Sequence, residues 1–417
     1  MYRIIAGLDV HAKQVVACLR VQHGKRCRRT LRQFPTTTPG LLERHAWLVE
    51  DHGPIVLIER TGVYWRPVFT ILEGSIEVLL ATAHHVKTLP GRKTDLRDAE
   101  WLAELGAHGL VRSSFIPPAP IRELRALTRY RTSLIHTRRT TRNRVHTLLE
   151  SANIKLGTVV SDRFGASGQA MLRALIARER DPARLAALAT GSLRHKPEPL
   201  VPALTGRFLA SHGFLLTQRL DQIAYPDRQL ATVSEEIARQ CGPCEAAVAL
   251  LETIPGVGRA TAAVILAEPG GDMTPFPTPH HLASWVGVCP GHNESAGNRR
   301  TGRTRKGNRW LRAAWCEAAW AASRANGTYL QRQFRRLAFA SGKGGKKAAI
   351  AVAHSSLIAV WHLLMYRVPY RDLGPLHLTT LEPEKATRVL VRKLEQLGFQ
   401  VPVAAKVAAS HGRLSGQ

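Results

Sequence analysis

RIIAGLDVHAKQVVACLRV, Arg3 to Val21, decides the fold. Its first part is a short apolar run closing on Asp9 and Val10, and Gln14 to Val21 alternates in the way a second strand would, with a tight His-Ala-Lys connection between them. Outward from there, KRCRRTLRQF (Lys25 to Phe34) suits a third strand. TTTPGLLERHAWLVEDHG (Thr36 to Gly53) has a Thr-Pro opening and a glycine close, the start and stop signals of a helix. PIVLIER (Pro54 to Arg60) and SIEVLLATA (Ser75 to Ala83) supply two more buried strands. Hairpin strands followed by strands alternating with helices predict an α/β domain with a mixed sheet.

Asp9 and Glu59 then stand at the carboxyl ends of two apolar strands, where ligands of open α/β sheets collect. KTDLRDAEWLAEL, Lys93 to Leu105, predicts a helix whose opening sets Asp95 and Asp98 three apart on one face, with Arg92, Lys93 and Arg97 beside them. An acid ending a strand is commonplace, and acids in a first helical turn usually cap it or answer its macrodipole. The four together point further. Converging carboxylates suit magnesium, a hard cation that completes its shell with water and substrate phosphate.

The 417 residues leave room for two or three domains. The expected division is 1–155 for the α/β domain and a basic helix, 156–245 for a helical, coiled-coil-like region, 246–372 for a mainly helical C-terminal domain and 373–417 for a tail. Lys plus Arg number 59 against 31 Asp plus Glu, a formal net charge of +28 with a pI near 10.9. That imbalance implies a polyanionic partner, nucleic acid before a membrane surface. No apolar run approaching the roughly 20 residues of a bilayer span stands out, and no signal peptide opens the chain, so a soluble cytoplasmic protein with no membrane partner is expected. Six cysteines are too scattered for a disulfide framework. CGPC, Cys241 to Cys244, has redox-pair spacing but follows a helix-like segment instead of an apolar strand, which suits a turn between helices.

From Ile121 to Ile154 a long helical pattern carries Arg122, Arg125, Arg129, Arg131, Arg138, Arg139, Arg142 and Arg144. Such density, with few acids to pair it, is expected to meet nucleic-acid backbone. MLRALIARERDPARLAALA (Met171 to Ala189) and the segment Phe214 to Gln240 look like the arms of a helical hairpin. LLETIPGVGRATAAVILAE, Leu250 to Glu268, has the form of a helix-hairpin-helix. Its Gly256 and Gly258 would let the backbone bend close to a phosphate. The polar loop Gly291 to Gly307 and the residue pair after it hold Ser295 among Arg299, Arg300, Arg303, Arg305, Lys306 and Arg309. The loop Ser341 to Lys347 lacks Walker spacing and suits phosphate-backbone contact only. One amphipathic helix, Glu382 to Phe399, lies in the tail.

GLDVHAKQVVAC, IERTGVYWRPV, HHVKTLPGRKTDLRDAEWLAEL and SFIPPAPIRELRALTRYR resemble successive motifs of the DEDD transposases of bacterial insertion sequences, also described as bridge-RNA-guided recombinases. The resemblance runs almost continuously through the first 150 residues and returns in the C-terminal half. It implies an N-terminal RuvC-like domain of ribonuclease-H fold, with Asp9, Glu59, Asp95 and Asp98 as a catalytic tetrad holding magnesium. It also implies a nucleophilic serine within NESAGNRR, at Ser295; a lysine common in the family is Asn298 here. Further implications are a metal-dependent transposase that cleaves and joins DNA through a covalent serine intermediate, donor and target DNA, a noncoding guide RNA, and a dimer or tetramer associated with the nucleoid when active. Two rival readings use the same opening: a hydrolytic RuvC-like junction nuclease with Ser295 structural, and an actin-like or sugar-kinase ATPase, for which no further glycine-rich phosphate loop is found. A non-catalytic nucleic-acid-binding protein is a third.

Overall fold

Alternation along β1 (Ile4–Val10) and β2 (Gln14–His23) gives the sheet its two faces. Even-numbered residues of β1, namely Ala6, Leu8 and Val10, enter one core, while Ile5 enters another on the opposite side. A computed structural model of the chain describes residues 2–402 apart from 51–52, 61, 83–94, 196, 292, 343 and 381–382. The side chains of 95–97, 197, 293–295, 299–301, 340, 379, 383, 385–386 and 393 also lie outside the description. Two compact units result, Met1–Ile116 and Pro117–Gln417.

In the first unit the sheet is completed by β3 (Arg26–Pro35), β4 (Ile55–Arg60) and β5 (Val78–Thr82), in the order β3-β2-β1-β4-β5. The first three strands are antiparallel neighbours, and β1, β4 and β5 run parallel. This is the mixed sheet expected of a RuvC-like domain. Helix α1 (Thr38–Glu50) and a helix the sequence did not announce, α2 (Trp65–Leu72), cover the even face through Leu41, Leu48, Val68 and Leu72. On the other face lies α3 (Asp95–Ala107). Its Ala99, Ala103 and Ala107 meet Ile5, Val16 and Cys18, and its Leu102 and Leu105 meet Leu57.

Among the described residues the second unit is helical apart from one hairpin. Helix α4 (Ala119–Ser151) pairs antiparallel with α5 (Ala210–Cys241): Arg131 Nε donates to Ser234 Oγ at 2.9 Å, and Arg138 Nη1 donates to Asp227 Oδ1 at 2.7 Å. The hairpin partner of α5 is therefore α4, and the expected arm at 171–189 is corrected. That segment is split in two, because Asp181 caps a fresh helix whose first residue is Pro182. It belongs to a small cluster, Met171, Leu172, Leu185 and Leu200 among others, packed on Val145 and Leu149 of α4 and Leu216 of α5. Cys241 closes α5 and Gly242–Cys244 forms a turn into α6 (Glu245–Glu252), so CGPC is a helix connection as expected.

After α7 (Arg259–Ala267) and α8 (Pro279–Val286) come the hairpin β6 (Asn293–Ser295) and β7 (Asn298–Thr301), then α9 (Arg309–Ala322), α10 (Tyr329–Arg335) and α11 (Gly345–Tyr366). Helix α11 is long and apolar enough by length and composition to cross a membrane, which corrects the expectation that no such run exists. More than half of its most apolar 18 residues are buried within the fold. The indole nitrogen of Trp315 on α9 donates to Ala353 O of α11 at 2.7 Å, and that of Trp361 on α11 donates to Phe276 O at 2.8 Å, as for a core helix. The amphipathic tail helix forms as α12 (Pro383–Gln396).

Candidate active site

Two strand ends and one helix start build the acidic part of the site. Leu8 of β1 stands opposite Ile58 of parallel β4, so the next residues, Asp9 and Glu59, share a level. Alternation puts both on the odd face, the one covered by α3 through Ile5 and Leu57. The helix runs against β1. Tyr2 N donates to Ala107 O at 3.2 Å, and a Cβ on Gly7 would lie 2.2 Å from Ala99 O and 2.4 Å from Ala103 N. Its opening turn, with Asp95 and Asp98, is thereby directed to the end of the sheet where Asp9 and Glu59 stand.

Asp9 is 8% exposed, and its Oδ2 lies 2.9 Å from Nε2 of His11 in the connection to β2. Asp98 and Glu59 are half-buried. The side chain of Asp95 lies outside the described residues, as do Arg92, Lys93 and the Arg97 side chain. Among the described residues no three acidic, histidine or cysteine side chains are grouped tightly enough to hold a metal ion. The donors are nonetheless all carboxylate oxygens, the ligand type that a hard divalent ion takes. His11 was missed in the sequence, where it looked like part of a turn.

Helix α3 is fixed at its far end by Glu104, which accepts from Arg20 Nε at 3.2 Å and Arg29 Nη2 at 2.8 Å and lies 2.9 Å from His108 Nε2. Burial pushes the Glu104 carboxyl up, but the His108 hydrogen bond and the charges of Arg20 and Arg29 outweigh it and hold the group below its usual range.

The serine stretch folds as a hairpin, where the sequence suggested an irregular loop. Ser295 pairs with Asn298 across the two-residue turn Ala296-Gly297, with φ of +51° and +76°. Two successive positive φ values identify a type I′ turn, whose twist matches that of antiparallel strands. Ser295 is the residue entering that turn. The side chains of Ser295, Arg299 and Arg300 lie outside the described residues, while those of Arg303, Arg305, Lys306 and Arg309 are exposed.

The basic helix α4 faces inward more than its sequence suggested. Arg122 Nη1 donates to Pro117 O at 3.0 Å, Arg125 Nε to Ala267 O at 3.1 Å, and Arg129 binds the wholly buried Glu268. Arg131 and Arg138 are the hairpin bonds given above, and Arg142 lies 4.8 Å over the Phe164 ring. These six hold the fold together. Arg139 and Arg144 are left on the exposed side. Gly256 is also explained by packing: a Cβ there would lie 2.4 Å from Ala318 O of α9. Gly258, with open space around it, precedes α7.

Comparison with known proteins finds two domain families. A DEDD-type IS110 transposase domain matches residues 6–154, and the transposase IS116/IS110/IS902 family matches residues 248–335. The chain is similar to a "Probable family 20 transposase" of Pseudomonas aeruginosa, 24% identical over 327 residues that cover 76% of this chain and 86% of the relative. It is also similar to an uncharacterized 43.6 kDa protein of insertion element IS110 from Streptomyces coelicolor, 28% identical over 378 residues that cover 82% and 90% of the two chains.

Proposed function

This chain is an IS110-family transposase carrying that family's two domains, and from that premise we propose that it cleaves and rejoins the DNA strands of a mobile element with Asp9, Glu59, Asp95, Asp98 and Ser295. The observation that carries the reading is the common level and common face of Asp9 and Glu59, with α3 running toward them so that Asp98 opens at the same end. A divalent ion, Mg²⁺ by the hardness of the donors, would be held by the four acids and would stabilise negative charge on the phosphate.

Ser295 Oγ forms a bond to the scissile phosphorus, and the bond from phosphorus to the departing deoxyribose oxygen breaks. The serine proton passes to solvent, and a proton from solvent completes the departing hydroxyl. One phosphoester replaces another, so rejoining needs no external energy. Exposed Arg303, Arg305 and Lys306 near the hairpin suit contacts to the DNA backbone, which position without reading sequence.

The test is cleavage and joining of element ends by purified protein, with adducts trapped on a denaturing gel. Asp9→Ala and Ser295→Ala are expected to abolish joining, and Ser295→Ala to abolish the protein–DNA adduct. Wild-type rates in both variants would overturn the proposal. Cleavage without any adduct would instead favour water as nucleophile and a junction nuclease.

Sequence reading by a noncoding RNA is part of the same proposal. The exposed Arg139 and Arg144 suit contacts to the shape and backbone of a paired guide, the mode used when base pairing carries specificity. Sequencing the RNA that co-purifies with the protein tests it; recovery of only bulk cellular RNA would count against a guide. Exchange between two duplexes needs more than one active site, which favours a dimer or tetramer.

A further inference from the structure

Phe339 is 76% exposed, more than any other large apolar side chain among the described residues. It lies in Arg336–Ala340, a π-helical continuation of α10 in which Ser341 N donates to Arg336 O at 3.0 Å. A π turn is rare and occurs frequently at functional sites. The neighbours of Phe339 are anchored. Ala338 is buried, and buried Phe334 meets the Trp320 ring at 5.2 Å between centroids. Phe339 is thus an outward-facing ring on a fixed base.

The surroundings are mainly basic, with Glu317, one turn before Trp320 on α9, as an exposed acid beside the patch. Arg335, Arg336, Lys346 and Lys347 are exposed, and none forms an ion pair among the described residues. No Asp or Glu occurs anywhere from 318 to 371. Trp320, 42% exposed, adds a second ring: a Cβ on Gly345 would lie 2.8 Å from it, so the start of α11 closes directly on the indole. Aromatic faces set among unpaired cations complement a ligand that is anionic along its length and flat at its bases. A protein partner would have to bring an acidic face as well as an apolar one. Residues 336–347 lie outside both spans matched by the transposase families.

We propose that Phe339 is a stacking platform for an unpaired or unstacked base of the DNA on which this chain acts, with Arg335, Arg336, Lys346 and Lys347 holding the adjoining phosphates. The inference rests on the transposase reading and adds a place where the strand is opened. Strand exchange requires bases to leave their original stack, and an exposed ring offers one of them a surface in place of water.

The experiment measures binding of the full chain to a short DNA duplex and to the same duplex with one unpaired thymine, by fluorescence anisotropy at a fixed salt concentration. Wild type is expected to prefer the bulged duplex by about tenfold, the lower part of the range for one stacked base. Phe339→Ala should lose that preference while binding the perfect duplex to within about twofold of wild type, a surface-sized effect. Phe339→Trp should keep it. Replacing Lys346 and Lys347 together by Ala should weaken both duplexes alike and lower the salt dependence.

An unchanged preference in Phe339→Ala, or none in wild type, would overturn the platform and leave the transposase reading standing. Failure to bind either DNA would overturn both. Phe339-dependent binding to phosphatidylserine vesicles, without any preference between the DNAs, would reassign the patch to a lipid surface and reject the DNA platform.

Discussion

Arg129 and Glu268 form a two-pronged ion pair inside the second unit: Nε lies 2.8 Å from Oε1 and Nη2 lies 2.8 Å from Oε2 of a carboxylate that is 0% exposed. Asn308 Nδ2 donates to the same Oε2 at 2.6 Å, while Asn308 Oδ1 accepts from the amides of Trp310 and Leu311 and caps α9. One carboxylate therefore ties α4, the end of α7 and the exit of the serine hairpin together.

Glu268→Ala leaves Arg125 and Arg129 half-buried without their acid. Breaking a buried pair from one side costs about 3–5 kcal/mol, so the urea midpoint of the second unit should fall markedly. An unchanged midpoint would show that Asn308 and the arginines find other partners. The sequence offered one hint, a single acid ending the apolar run VILAE.

Gly7 sets how closely α3 approaches the sheet. Its Cβ would meet the backbone of α3 at two points, 2.2 Å from Ala99 O and 2.4 Å from Ala103 N, and backbone cannot swing away as a flexible side chain can. Gly7→Val should destabilise the first unit by about 1–3 kcal/mol or more and displace the opening of α3 from Asp9 and Glu59. The expected signature is a lowered melting temperature together with a loss of DNA joining larger than the loss of folded protein. Full activity at reduced stability would mean that the acids do not depend on this contact.

Acid should loosen the same helix. The Glu104 carboxyl is held below its ordinary value of 4.5, so its contribution to stability is present above that value and is lost as pH falls through the lowered one. Wild type should therefore exceed Glu104→Gln in thermal stability at neutral pH, with the difference shrinking below about pH 4.5. A difference that stays constant with pH would assign the effect to shape instead of charge.

The turn beyond Ser295 is strained at one residue and relaxed at the next. Ala296 has φ +51°, a region where a side chain costs about 1–2 kcal/mol, whereas Gly297 at +76° carries no such penalty. Ala296→Gly should leave the covalent adduct intact with equal or higher stability. Gly297→Val should lower adduct formation, because the hairpin must give up its turn type to relieve the clash of a β-branched side chain. Equal adduct yield from both variants would indicate that Ser295 is positioned without the turn.

How much of this could be read from the chain follows from the range of the interactions involved. Alternation and strand-ending acids depend on residues a few positions apart, so the five strands, α3 and the tetrad candidates at Asp9, Glu59, Asp95 and Asp98 were legible. Helix α2 was hidden because its segment, Trp65–Leu72, contains Pro67 and no clear start signal; it forms because Val68 and Leu72 complete the core under α1. The run of arginines on α4 announced charge and could not announce direction. Arg129 turns inward only because Glu268, 139 positions later, is buried against it.

The sequence by itself determined the strands, the net charge that favours a polyanionic partner, and the candidate acids at the strand ends and helix start, because composition and short-range periodicity are properties of the unfolded chain too. Tertiary structure alone decided which charges are available. It placed Asp9 and Glu59 on one face through strand register, drew Arg125, Arg129 and Arg131 inward through partners far along the chain, and left Phe339 in solvent through a local widening of the helix. Burial and pairing energies depend on what closes over a side chain, and that neighbour is chosen only when distant segments meet.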